Sequence, residues 1–401
     1  MDTSKPLQVL QPKYRVDECL AAIKECLDVG WTGLGFKTTQ FEEAWKQYTS
    51  LPHAHFLSSA TAGLHLAIRI LKDIYKWEEG VDEIITTPLT FVSTNHAIMY
   101  EGLVPVFAAV DPNTLCLSPE SVERMISSRT KAVLYVGLGG RVGHLDEIRA
   151  ICKKNGLKLI LDAAHMAGTK RLTIIPCPPN MGLKADRTHI GQEADVTVFS
   201  FQSVKNLPTA DGGMICFQDA ELDARARKMS WLGIDKDTYA RSGAQGSYKW
   251  RYDVPYVGFK YHGNSIMAAI GLVQLRYLDT DNDYRRELAV RYTEALKDGF
   301  FLPRDVHLVE SSCHLFQLGV PREQRDEYVV ELNRRSIFPG VHYVLNTEYV
   351  MYRNAICDSV ELDGGRGFVT LPLHLNMTVD DVDRVIEAVK EIQYVLRTKA
   401  Q

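Results

Sequence analysis

Short apolar runs alternate with amphipathic stretches over the first two thirds of the chain. Glu83-Ile-Ile-Thr-Thr87, Val104-Pro-Val-Phe107, Ala132–Val136, Leu159-Ile-Leu161 and Val196–Phe199 each read as a strand buried on both faces. Between them the period changes to that of helices. Residues 17–29 place Leu20, Ile23 and Leu27 on one face, with Gly30 as a C-cap. Thr61–Leu71 repeats the pattern through Leu64, Ile68 and Leu71, and Asp146–Asn155 is again helical. Such alternation predicts an α/β fold: a mainly parallel sheet with helices on both faces. Ligands of these sheets bind beyond the C-terminal strand ends. From about residue 265 the pattern is helical, through Leu278 to Leu296. A strand (Leu315–Val320) and a terminal helix (Val379–Leu396) follow. The expected division is a large domain at 1–265, including an N-terminal helical segment, and a smaller α+β domain at 266–401. Lys170 to Gln192 carries Pro176, Pro178 and Pro179 and reads as a long irregular loop.

Composition narrows the function without naming it. The 401 residues are 45% hydrophobic and 24% charged, with a formal net charge of −4. That balance implies no nucleic-acid surface. No apolar run approaches the ~20 residues of a membrane span, and Met1–Pro6 lacks the apolar core of a signal peptide. The eight cysteines are scattered without a C-x-x-C pair, so they read as reduced thiols of a cytoplasmic protein with no metal site.

Three features carry candidate chemistry. Lys205 follows the apolar stretch Val196–Phe201 and precedes Gly212-Gly213 and the run Met214–Phe217. It therefore lies on a loop between two buried strands, where an amine loses hydration and becomes a nucleophile. Most lysines are solvated surface charges, so the neighbours decide. Asp162 ends the strand Leu159–Leu161, 43 residues before Lys205, and is followed by Ala-Ala-His165. A pyridoxal phosphate enzyme needs such a pair: the lysine to bind the aldehyde, the aspartate to keep the pyridine nitrogen protonated. Ser58-Ser-Ala-Thr-Ala-Gly63 opens the helix that follows, where small residues and hydroxyls let backbone N–H groups approach a phosphate. A competing motif, Gly137-Leu-Gly-Gly-Arg-Val-Gly143, also lies between a strand and a helix. Its glycine register fails the dinucleotide fingerprint, because Val142 stands where glycine is required.

These residues and several further motifs resemble a known family. The motifs are Trp31-Thr-Gly33, Ser59-Ala-Thr-Ala62, Pro88-Leu-Thr-Phe91, Asp162-Ala-Ala-His165, Phe199-Ser-Phe-x-x-x-Lys205, Gly258-Phe-Lys-Tyr-His262, Ala268-Ala-Ile-Gly-Leu-x-Gln-Leu275, Val341-His-Tyr343 and Leu371-Pro-Leu373. From about Val29 to the C-terminus the chain resembles the DegT-type sugar aminotransferases (DegT/DnrJ/StrS), which share the aspartate aminotransferase fold, type I of the pyridoxal phosphate enzymes. The resemblance implies a mostly parallel seven-stranded sheet and pyridoxal 5'-phosphate as cofactor. It implies that Lys205 forms the Schiff-base link and later moves a proton, and that Asp162 pairs with the pyridine nitrogen. Phe91 would stack on the ring, His165 would touch its phenolic oxygen, and Ser59, Ala60, Thr61 and Ser200 would hold the phosphate. Thr32, His342 and Tyr343 are implied substrate contacts. The implied reaction moves an amino group from glutamate to C3 or C4 of a nucleotide-linked keto-deoxysugar, in a homodimer with its site at the subunit interface.

A keto-cyclitol acceptor and a non-catalytic regulatory role on the same fold are the alternatives. Lys205 argues against the related dehydratase branch, which has histidine there. Two positions depart from the family pattern. Lys260 stands where many relatives have the asparagine that reaches the partner subunit's phosphate, so the resemblance implies that it binds the cofactor there as a cation, and Asp211 replaces a glutamate.

Overall fold

The computed structural model describes residues 5–175, 184–235, 252–306, 308–359 and 366–399. Its main sheet has eight strands, in the order Ile356–Cys357, Val104–Phe107, Glu83–Thr86, Thr130–Val136, Lys158–Asp162, Val196–Ser200, Gly213–Phe217, His53–Leu57. The first six are parallel. Gly213–Phe217 runs antiparallel to both of its neighbours.

The sequence expectation of seven strands falls one short. The extra strand is the two-residue edge Ile356–Cys357, exposed at both positions, and so without an apolar run to mark it. His53–Leu57 was also hidden, because two histidines interrupt its pattern. His55 is buried there, its ring nitrogens 2.8 Å from Glu42 and 2.7 Å from Ser230.

The period of two along each strand divides the interior into two cores. Val133, Tyr135, Leu159, Leu161 and Phe199 face one core with Phe41 and Trp45 of the helix Phe36–Thr49. Ala132, Leu134, Ile160 and Val198 face the other. There Leu64, Ile68 and Leu71 of the helix Ala60–Tyr75 cover them. A third core lies around the antiparallel pair Phe316–Val320 and Gly367–Leu371, under the helices Leu278–Leu296, Arg325–Arg334 and Val379–Lys399. Leu7, whose strand Leu7–Gln8 pairs with Ile337–Phe338, is part of that core.

Two sequence expectations are corrected. The stretch 170–192 is not an irregular loop: Lys170–Ile175 and Lys184–His189 pair as antiparallel strands, and Val309–Glu310 adds a third. Strand propensity in Leu172-Thr-Ile174 outweighs the nearby prolines, and Pro176, Pro178 and Pro179 lie outside the described residues. The helix Val16–Val29 forms as expected, with Gly30 left-handed (φ 71°) and its N–H bonded to the last turn. Its apolar face does not enter this chain's core. Cys19 and Cys26 are buried, while Leu20 and Leu27 are 59% and 60% exposed. Among the described residues, no helix is long and apolar enough to cross a membrane.

Candidate active site

The parallel strand Lys158–Asp162 delivers Asp162 to its C-terminal end, level with Val136 and Val198 of its neighbours. Ser200 pairs with Gly213 across the adjacent antiparallel strands. The chain from 201 to 212 must therefore return on itself above the same sheet edge. Thr209 N–H donates to the Phe201 carbonyl at 2.8 Å and Lys205 N–H to the Gln202 carbonyl at 2.8 Å, which folds the loop back. Lys205 and Asp162 so come to line one cavity of about 410 Å³.

The electrostatics suit a nucleophilic amine. Burial lowers the Lys205 pKa to about 8, and the Asp162 carboxylate opposes the shift without cancelling it. Asp162 is 4% exposed. Its Oδ2 accepts from Thr94 Oγ1 at 2.8 Å and its Oδ1 from the Ala164 N–H at 3.0 Å. Burial still outweighs these bonds and the nearby lysine, so its pKa is raised. A buried carboxylate in that condition favours a cation against it.

His165 takes its orientation from the backbone. Its Nδ1 accepts from the Gly139 N–H at 3.2 Å, so in the neutral ring the hydrogen is on Nε2, 3.3 Å from the Tyr343 hydroxyl. Burial, with Lys205, His342 and Arg141 nearby, holds its pKa well below the ordinary value. His342 is lowered to about 4 by burial and then by Lys205. Both imidazoles are neutral at pH 7.

A candidate phosphate cradle lies at the start of the helix Ala60–Tyr75. Ser59 caps the 16-residue helix Ala60–Tyr75, its Oγ accepting from the Ala62 N–H at 3.1 Å. The Ala60 and Thr61 N–H groups have no acceptor among the described residues. Both residues line the cavity with Ser200, and unpaired N–H groups at a helix N-terminus bind anions. Gly213 is needed here, since a Cβ on it would lie 2.5 Å from the Ala60 nitrogen. Phe91, just before the helix Val92–Tyr100, lines the cavity with a ring that is 58% exposed. Amine, buried carboxylate, unpaired amides and open ring together fit pyridoxal 5'-phosphate.

The structure thus gathers Lys205, Asp162, His165, Ser59, Ala60, Thr61, Phe91, Ser200, His342 and Tyr343 around one cavity. It does not bring Thr32 or Lys260 there. The Thr32 carbonyl accepts from the Ser265 N–H at 3.0 Å, and the Lys260 ammonium lies 3.2 Å from the centroid of the Trp231 ring. Arg241, Lys249, Trp250 and Arg251 fall outside the described residues, and Tyr252 is exposed.

Sequence reading missed Thr94 and His314. Thr94 is three positions after Phe91, in the first turn of the helix Val92–Tyr100 beside Ser93, whose hydroxyls gave a faint signal. His314 stands just before the strand Phe316–Val320, with no signal of its own. Its ring is 4.4 Å from that of His165, centroid to centroid, and its Nδ1 is 2.9 Å from Asn206 Oδ1.

The profile of the DegT/DnrJ/EryC1/StrS aminotransferase family matches residues 14–390. The spore coat polysaccharide biosynthesis protein SpsC of Bacillus subtilis (strain 168) is 33% identical over 390 residues, 94% of each chain. The aminotransferase TlmJ of Streptoalloteichus hindustanus superposes with a TM-score of 0.84 at 29% identity, covering 98% of this chain and 100% of that one. The PLP-form of a putative sugar aminotransferase, Spr1654 of Streptococcus pneumoniae, gives 0.83 at 25% identity, over 97% and 98%. The chain belongs to the DegT/DnrJ/EryC1/StrS aminotransferase family and is an aminotransferase dependent on pyridoxal 5'-phosphate.

Proposed function

We propose that this aminotransferase moves an amino group from glutamate to the C3 or C4 ketone of a nucleotide-linked deoxysugar, for a surface polysaccharide or a glycosylated metabolite. The carrying observation is the single cavity that holds Lys205, Asp162 and the phosphate cradle. The likeness to a polysaccharide biosynthesis protein supports a sugar as acceptor.

When bound, pyridoxal phosphate supplies the electron sink for carbon–nitrogen chemistry. The Ala60 and Thr61 amides with Ser200 would hold its phosphate, and Phe91 would cover the ring. Asp162, fixed by Thr94 and Ala164, would face the ring nitrogen and regain its charge there. Lys205, neutral in a large fraction at pH 8, would hold the cofactor through its amine and would be the group that moves a proton at the reacting carbon. Its loop sets that reach. The His165 Nε2–H and the Tyr343 hydroxyl would offer polar contacts to the cofactor, and His342 and Tyr343, which line the same cavity, would contact substrate.

No arginine lines the cavity among the described residues, yet both substrates are anionic. A second subunit fits this need. Lys260 turns away from its own cavity, and the exposed leucines of the helix Val16–Val29 suit a dimer contact. The deciding experiment offers glutamate with nucleotide-linked 3-keto and 4-keto deoxysugars and follows 2-oxoglutarate release. Turnover with those sugars, lost in Lys205→Ala, is expected. Turnover with keto-cyclitols alone would sink the sugar reading.

A further inference from the structure

A second cavity, of about 380 Å³, opens beside the start of the strand Phe316–Val320. Arg141, Lys297, Arg304 and Glu294 line it, over a floor that includes Leu302 and Phe316. Arg141 comes from the loop Gly137–Gly143, the segment whose glycine register excluded a dinucleotide. Its side chain is 8% exposed. Nε donates to the Thr114 carbonyl at 2.7 Å and Nη2 to Gln317 Oε1. No carboxylate lies within ion-pair distance among the described residues, and Nη1 has no acceptor among them. The Asp305 carboxylate is taken by the Val142 and Gly143 N–H groups at 2.7 and 2.9 Å.

Burial lowers the Arg141 pKa, and Asp305, nearby but outside ion-pair distance, opposes this without cancelling it. Here Arg141 shares a cavity with two further cations. Among the lining residues three cations meet one carboxylate: Lys297 pairs with Glu294 at 2.5 Å, and Arg141 and Arg304 make the surplus, with Asp305 acting on Arg141 from outside the lining. Tetrahedral phosphate dianions suit that surplus, having oxygens for donors from several directions.

Two contacts link the cavity to the active site. Gln317, which accepts from Arg141, donates through Nε2 to the His342 carbonyl. Gly139, two residues before Arg141, supplies the N–H that orients His165.

We propose that this cavity is a regulatory site for a phosphate anion, free or as a monoester, and that Gln317 couples it to His342. An anion that draws the Arg141 guanidinium toward itself weakens the Arg141–Gln317 bond and so alters how the His342–Tyr343 segment is held. The coupling is reciprocal, as any linkage between sites must be.

The test uses holoenzyme, whose cofactor already fills the phosphate cradle. Inorganic phosphate and glycerol 3-phosphate are titrated calorimetrically at constant ionic strength. Saturable binding is expected, at least tenfold weaker in the double variant Lys297→Gln/Arg304→Gln, whose turnover without phosphate is unchanged. Equal binding in that variant, or no saturable binding to the native enzyme, overturns the site. Similar affinity for both probes means the phosphate alone is recognised, and tighter glycerol phosphate means a monoester is. Coupling is read as an at least twofold change in glutamate KM with phosphate, lost in Gln317→Met although phosphate still binds. A native enzyme that binds phosphate with KM unmoved, or a Gln317→Met variant that shifts equally, overturns the coupling.

Discussion

Two side chains, Lys205 and Thr94, determine how the site responds to pH and to mutation. An ordinary lysine is under 1% neutral at pH 8, whereas Lys205, lowered to about 8, is about half neutral there. In cofactor-free protein an amine-selective reagent should label Lys205 well before surface lysines, with a rate midpoint near pH 8. A midpoint above 10, by peptide mass spectrometry, would show that burial does not tune it. Lys205→Ala should stay folded and lose the visible absorbance of bound cofactor. Thr94 acts through Asp162. Thr94→Val removes one of the two bonds that favour the carboxylate, so the Asp162 pKa rises further. The loss is about 1–2 kcal/mol of charge-assisted bonding, or roughly tenfold weaker cofactor binding. Equilibrium dialysis against pyridoxal phosphate measures it. Lys205 and Asp162 were legible because strand ends announce themselves in an apolar pattern. Thr94 was not, because its role depends on which strand the helix Val92–Tyr100 lies across.

Among the elements, glycine positions carry the sharpest consequences. Gly30 ends the helix Val16–Val29 at φ 71°, and its Cβ position is open. Gly30→Ala should therefore cost only the left-handed strain, about 1 kcal/mol, seen as a lower urea midpoint with cofactor binding intact. At Gly213 the opposite is expected. A methyl there presses on the Ser59–Ala60 backbone, so Gly213→Ala should reduce cofactor retention more than it reduces stability. Equal losses in both would show that the contact is merely structural. The pair Lys170–Ile175 and Lys184–His189 escaped sequence reading for a reason of the same scale. Proline density signals a loop only locally, while the ladder is held by the pairing of the two strands with each other, to which the distant segment Val309–Glu310 adds an edge.

Across the whole molecule, buried histidines govern the response to acid, and exposed leucines bear on the proposed dimer. His189 and His374, 4% and 2% exposed, are both lowered to about 4, mainly by burial. The unfolded chain takes up these protons near pH 6.5 and the folded one only near 4. Stability should thus fall as pH drops through that window and level off below it, by up to roughly 3 kcal/mol for each group. His189→Gln should flatten the fall in urea midpoints between pH 6.5 and 4; an unchanged slope would remove His189 from the account. On the proposed dimer contact, Leu20→Asp should lower the sedimentation coefficient while changing unfolding free energy by less than about 0.5 kcal/mol; a native enzyme that already sediments as a monomer would remove that contact. The chain's linear pattern determined the parallel sheet and put Lys205, Asp162 and the Ser58–Gly63 segment at strand ends or a helix start, because such positions depend on short-range periodicity; their roles came from the family resemblance. Tertiary structure alone decided that Thr94 and His314 join the site, that Thr32 and Lys260 stand away from it, and that Leu20 and Leu27 face outward. Amphipathic spacing says that a face will be buried; what buries it depends on partners far along the chain or outside it.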